Sequence, residues 1–283
     1  MAYQVTPVPA GIPASSGQRA EPGINTEKMY DVIMNKYRWG GMDQGKDLYL
    51  DETVRRMVST TRGTMSGLAK ELYFKAIIAA KKDSTNNVSS SENFDKDRNV
   101  LNLMEEKLPA SVMPYENYSS IDIAELYIKL YEATGNEDDK ARALALADDG
   151  LTRYVKFIPY LMSLNDWQLK SIVYSETYVS NVAIPHFITL YQQAGGDVDA
   201  KLKELGTSID DILALRYRLY QLDYPGVEAH HFVNPIVEYY GMLNYHPEKI
   251  VDVIVDFFSS RGLDSAQLRE AFDMAYSKDT DEE

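Results

Sequence analysis

The chain has 283 residues, 45% hydrophobic and 25% charged, with 29 basic against 43 acidic side chains and a formal net charge of −14. That length and apolar content suffice for a large core in one or two domains, while the acidic field opposes nucleic acid and anionic lipid as partners. The absence of cysteine excludes a disulfide framework, a thiolate metal site and a cysteine nucleophile.

Residues 1–24 carry Pro7, Pro9, Pro13 and Pro22 among Gly11, Gly17, Gly23 and Ser15–Ser16. This is the composition of a linker or extended arm, with no period that would bury a face. The opening MAYQVTPVPAGIP lacks the basic start and apolar centre of a signal peptide. No apolar run approaches the ~20 residues of a membrane helix, so direct membrane insertion of this chain is not expected.

The spacing of Met29, Tyr30, Ile33, Met34 and Tyr37 predicts a helix over Glu27–Arg38, with Thr26 as its N-cap. Trp39–Gly40–Gly41 ends it. A long helix is expected over residues 52–81, capped by Asp51, with Glu52 at the positive end of its dipole. Its apolar set is Val54, Met57, Val58, Met65, Leu68, Leu72 and Ile77, with Gly63 and Gly67 as weak points or close-contact sites. Lys82–Glu92 is polar and reads as a mobile loop. A shorter helix follows over Asp97–Leu108, with Val100, Leu101, Met104 and Leu108 in phase and Pro109 as its stop.

The best-formed packing unit is Ile121–Tyr154, a helical hairpin. Ile123, Leu126, Tyr127, Leu130 and Tyr131 line the first helix, Gly135 is its C-terminal cap, and Glu137–Asp139 open the second. Ala141, Leu144, Ala145, Leu151 and Tyr154 are read as the inward face of that second helix. Beyond Pro159, Asn165 or Asp166 caps a helix reaching Gln193, with Leu169, Val173, Val179 and Phe187 inward and a kink at Pro185. Shorter helices fit Val198–Leu205, Ser208–Leu222, Asn234–Leu243, Pro247–Ser259 and Ser265–Tyr276, before an acidic, disordered tail over residues 277–283.

The class is therefore all-α. The hairpin at Ala124–Tyr154 places its tyrosines, turn glycine and alanines roughly where a tetratricopeptide repeat puts its packing residues, and Asp97–Pro109 reads as the second helix of a preceding repeat. The expected architecture is an α-α superhelix of tetratricopeptide-like stacked hairpins, either a right-handed solenoid or an irregular helical array. Its organisation is an arm over 1–24, a repeat part over 25–155 and a further helical part over 156–276 packed on it.

Candidate chemistry is sparse. His230–His231 with Glu228 and Glu238 offers metal donors, but Pro235 intervenes and the spacing is not that of the zinc helix motif. Asp51–Glu52 and Asp148–Asp149 are neighbours that point in different directions on a helix, which suits caps and solvated faces better than acid–base work. Gly40, Gly41 and Gly45 lack the strand, helix and lysine of a phosphate cradle. No catalytic residue, cofactor or metal ligand is assigned. The 21 tyrosines are the one enrichment that suits a binding surface. Tyr37, Arg38, Trp39 and Tyr49 surround the glycine-rich loop; Trp167, Tyr174 and Tyr178, with Tyr154 and Tyr160, cluster later.

Several segments taken together resemble a known family. They are Asn35–Met42 (NKYRWGGM), Tyr49–Glu52 (YLDE), Arg55–Met57, LMEEKLP, Pro114–Tyr115 and AELYIKLYEATGN, with AYQVTP at Ala2–Pro7. They look like the soluble C-terminal, tetratricopeptide-like region of bacterial protein O-mannosyltransferase-like multi-pass membrane proteins, a family of largely uncharacterised function. The resemblance covers about residues 2–155 and contains no catalytic motif. It implies that the chain is a fragment or free-standing relative whose glycosyltransferase-like membrane part lies elsewhere. It further implies a soluble domain of an inner-membrane protein on the periplasmic side, although composition alone fits either side. The expected function is a non-catalytic accessory domain that binds a protein or peptide partner or acceptor. The competing expectation is a carbohydrate-binding or glycan-processing domain in residues 156–283 that uses the later aromatic cluster.

Overall fold

The computed structural model describes residues 24–44, 48–82, 88–115, 119–171 and 183–222, with short helical pieces between 251 and 270. Among them there are helices and turns but no strand, so the all-α expectation holds for the described residues. The chain divides into two compact units, Met1–Leu146 and Ala147–Glu283.

The first unit begins with α1 (Thr26–Asp31), which widens into a π-turn over Val32–Lys36. The cap is Asn25 rather than Thr26: its Oδ1 accepts from the Lys28 amide at 3.2 Å, while Thr26 is buried inside the first turn and its hydroxyl accepts from Lys75. The helix also stops being regular at Asp31, where the Asp31 carboxylate draws in Asn35 and Lys36. A short 3₁₀ turn, Met42–Gln44, precedes α2 (Glu52–Lys82). Asp51 caps α2 as its sequence position suggests, accepting from the Val54 amide at 2.8 Å.

The helix α3 runs over Val88–Lys107, so part of the expected Lys82–Glu92 loop is helical from Val88 onward. A run of small polar residues carries no strong stop signal of its own, and contact with a neighbour can outweigh weak propensity. α3 packs along α2 as an antiparallel pair. The ring of Phe94 meets Tyr73 near one end, and Arg62 bonds to Leu108 near the other. Val58, Met65, Leu68, Ala69, Leu72 and Ala76 of α2 and Val100, Leu101 and Met104 of α3 form the core between them.

α4 (Ser119–Thr134) lies against both α2 and α3 and is buried around most of its circumference, from Ile121 to Leu130. Gly135, at φ +70°, closes it by donating to the Tyr131 carbonyl at 2.7 Å. A left-handed residue here lets the chain reverse at once, and Asn136 then caps α5 (Glu137–Val155) through the Asp138 amide at 3.0 Å. The buried face of α5 is Asp139, Ala143, Ala147, Gly150, Leu151 and Val155. Ala141 and Ala145, expected inward, are exposed, because the helix is turned by a phase set by Asp139 and Gly150.

The second unit starts within α5. It continues through α6 (Phe157–Ser163), α7 (Asp166–Ser171), α8 (Ile184–Gln193), α9 (Val198–Glu204) and α10 (Ile209–Gln221). Gly150 of α5 permits close approach to Phe187 of α8: a Cβ at that position would lie 2.3 Å from the ring. One turn further on, Tyr154 stacks on the same ring at 5.6 Å. α6 packs on α10, and α8 on α9. Reciprocal caps start two of these helices. Asn165 and Gln168 exchange backbone-to-side-chain bonds of 2.9 and 3.0 Å, and Ser208 and Asp211 do the same at 3.2 and 2.9 Å. Pro185 sits in the first turn of α8, where its missing N–H costs little. The expected continuity from Asp166 to Gln193 falls on residues 172–182, outside the described residues, as do most of 223–283. In the last described piece Asp264 is the cap, not Ser265, accepting from the Ala266 amide at 2.8 Å.

Candidate functional site

The first group of expected binding residues is divided by the fold. Trp39 is half-buried and closes a small core of Met42, Val58, Leu108 and Met113, with its ring 4.8 Å from that of Tyr37. Lys107 fastens the loop below it through Asp43 at 2.7 Å, and that ammonium holds the Asp43 carboxyl below its ordinary range. Trp39 and Tyr37 therefore act as packing residues in this loop. Arg38 is exposed, and Tyr49 stands 89% exposed.

In the second group, rings on α6 and α7 stand open. Trp167, in the first turn of α7, is 77% exposed; Tyr160 and Phe157 on α6 are 56% and 53% exposed. Ile158 and Leu161 take the inward face of α6, which leaves positions 157 and 160, three apart and so on one side, facing out. Phe157 went unrecognised in the run Phe-Ile-Pro-Tyr-Leu-Met, where a continuous apolar stretch hides which residues face outward. Hydrogen bonds brace the turn between these helices. Arg218 of α10 donates to the Met162 carbonyl at 3.1 Å, the Leu164 carbonyl at 2.6 Å and the Asp166 carboxylate at 2.7 Å, pinning the α6–α7 turn. Four exposed polar neighbours bond to local backbone: Ser163 donates to Tyr160, Ser171 to Trp167, and Asn165 pairs with Gln168, while Lys156 and Lys170 are also exposed. Tyr174 and Tyr178 lie outside the described residues, and Tyr154 is committed to Phe187.

The strongest electrostatic features belong to the first unit. Arg98 grips the fully buried Asp139 with Nε and Nη2 at 2.9 and 2.7 Å, and also holds Asp95 and Thr134. Asp97, next to it in α3, is completely buried, and neither carboxylate oxygen has a hydrogen-bond partner among the described residues. Burial pushes its pKa up to about 8; Arg98 opposes the rise and Asp139 adds to it. About two turns further along α3, Glu105 pairs with Arg142 beside the buried Tyr127, whose hydroxyl donates to Asn102 at 3.2 Å. Burial raises both the Glu105 carboxyl and the Tyr127 phenol. Asp97 was legible as part of the buried stripe, since it stands four residues before Leu101 and seven before Met104. In the sequence it marks the expected start of the Asp97–Leu108 helix.

These groups hold helices together. A general acid or base has to touch its substrate, and Asp97 and Asp139 are sealed from solvent. The adjacent acid pairs named from the sequence serve separate structural partners. Asp148 takes Lys201 at 2.8 Å, Asp149 takes Arg153 at 2.6 Å, Asp51 caps α2 and Glu52 takes Arg56 at 2.9 Å. Among the described residues no three acidic or histidine side chains converge as a metal site, and the His230–His231 group lies outside them. No described helix is long and apolar enough to cross a membrane. Comparison of the chain with protein-family models, curated proteins and solved structures finds no match.

Proposed function

We propose that this chain is a non-catalytic interaction domain that docks a polypeptide through the Phe157–Tyr160–Trp167 surface. The observation that carries the reading is three large apolar rings exposed on two successive helices whose connecting turn is pinned by Arg218. Exposed aromatics held in place in advance lose little entropy on binding and supply most of the contact energy at protein interfaces. A sugar site would need polar side chains aimed outward beside the rings. Here Ser163, Asn165, Gln168 and Ser171 are spent on local backbone, which favours a polypeptide.

Within this reading the helical hairpins form a tetratricopeptide-like scaffold, and the partner or acceptor belongs to a membrane glycosyltransferase-like system in the bacterial envelope. Support comes from the AYQVTP junction and the Asn35–Met42 and Ala124–Asn136 segments. Affinity capture from membrane extracts tests it, with wild type compared against Phe157→Ser/Tyr160→Ser/Trp167→Ser. A polypeptide retained by wild type and lost by the variant is expected. Identical eluates, or an oligosaccharide that binds wild type but not the variant, would overturn the reading.

A further inference from the structure

At the junction of α2, α3 and the α4–α5 turn, Asp97 faces inward with no exposed surface and no hydrogen-bond partner among the described residues. A fully buried carboxylate with no donor among the described residues is disfavoured in its charged form. Arg98 offsets this only in part, as a nearby charge and not as a hydrogen-bond donor. Adjacent residues on a helix point about 100° apart, and both edges of the Arg98 guanidinium are taken by Asp139, Asp95 and Thr134. The other titratable groups felt here are Tyr73 from α2, Asp139 from α5 and, acting on Tyr73 from α4, Glu132; none is a cation.

We infer that Asp97 is a proton-binding site built into the first unit: its carboxyl must carry a proton for α3 to seat against α2 and the α4–α5 turn, and loss of that proton loosens the seat. The raised pKa agrees with this geometry, placing the changeover near neutral to mildly alkaline pH. The folded form holds the proton more tightly than the unfolded chain. Stability is therefore fully present below the ordinary carboxylate range, declines as pH rises, and levels off above about 8.

The test is equilibrium unfolding of the full chain across pH 6–9 for wild type, Asp97→Asn and Asp97→Leu. The slope with pH is read, not the absolute stability, and subtraction cancels the other titrating groups. Relative to either variant, the wild-type folding equilibrium constant should fall by up to about tenfold per pH unit until pH ~8. Should neither variant fold, amide exchange of wild type supplies the readout. Protection over residues 94–104, corrected for intrinsic exchange, should fall more steeply from pH 6 to 8 than protection over α8. Parallel pH slopes in wild type and variants, or equal slopes for the two segments, would overturn the inference.

Discussion

At the scale of single residues, the buried charges decide how the first unit closes. Arg62 is 2% exposed and gathers the chain that leaves α3. Its Nη2 donates to the Leu108 and Met113 carbonyls at 2.7 Å each, and its guanidinium lies 4.2 Å from the Tyr115 ring centre. Replacing Arg62 by Met keeps volume but strands those carbonyls. Denaturant unfolding should show a loss of about 2–4 kcal/mol. The two tryptophans should separate in the same assay. Trp39→Ala opens the Met42–Val58–Leu108–Met113 core and should cost about 2–3 kcal/mol. Trp167→Ala removes an exposed ring and should stay within about 0.5 kcal/mol of wild type. Sequence alone could not divide them, because composition and loop context look alike for a tryptophan that closes a core and one that stands free. Arg62 was similarly hidden: a charged side chain at an apolar position is read as an interruption of the stripe until its partners, 46 and 51 residues away, are known.

At the scale of elements, the helices were largely legible where periodicity and caps agreed. Asp51, Gly135 and the α4 stripe are where sequence reasoning put them. α5 is the instructive exception. Its alanines recur at several spacings, so the pattern fits more than one face, and the true face is fixed by long-range partners, Arg98 for Asp139 and Phe187 for Gly150. The glycines yield a paired prediction. Gly150→Ala forces a Cβ into the Phe187 ring and should lower stability by about 2 kcal/mol or more, with the Tyr154–Phe187 stack disturbed. Gly63→Ala on α2, where a Cβ meets nothing within 4 Å, should raise the melting temperature through about 0.5–1 kcal/mol of helix propensity. Losing the Asn165 cap by Asn165→Ala should cost about 1 kcal/mol and loosen the turn that mounts Trp167, visible as faster exchange of the Gln168 amide.

At the scale of the molecule, each unit carries a different property. The first holds the ionic networks around Arg98 and Arg142 and the buried Asp97; the second presents the aromatic surface. Among the described residues no three acidic or histidine side chains gather as a metal site in either unit. The aromatic enrichment was visible in the sequence, yet only burial showed that Trp167 and Tyr160 stand open while Tyr154 and Trp39 are consumed in packing. The docking reading is tested most directly by a photo-crosslinking amino acid placed at position 167 in cells that make the protein, with the same probe at exposed Thr60 on α2 as the control. A discrete polypeptide adduct is predicted from position 167, absent from position 60 and abolished by Phe157→Ser/Tyr160→Ser. Equal labelling from both positions, or no polypeptide adduct from position 167, would contradict it.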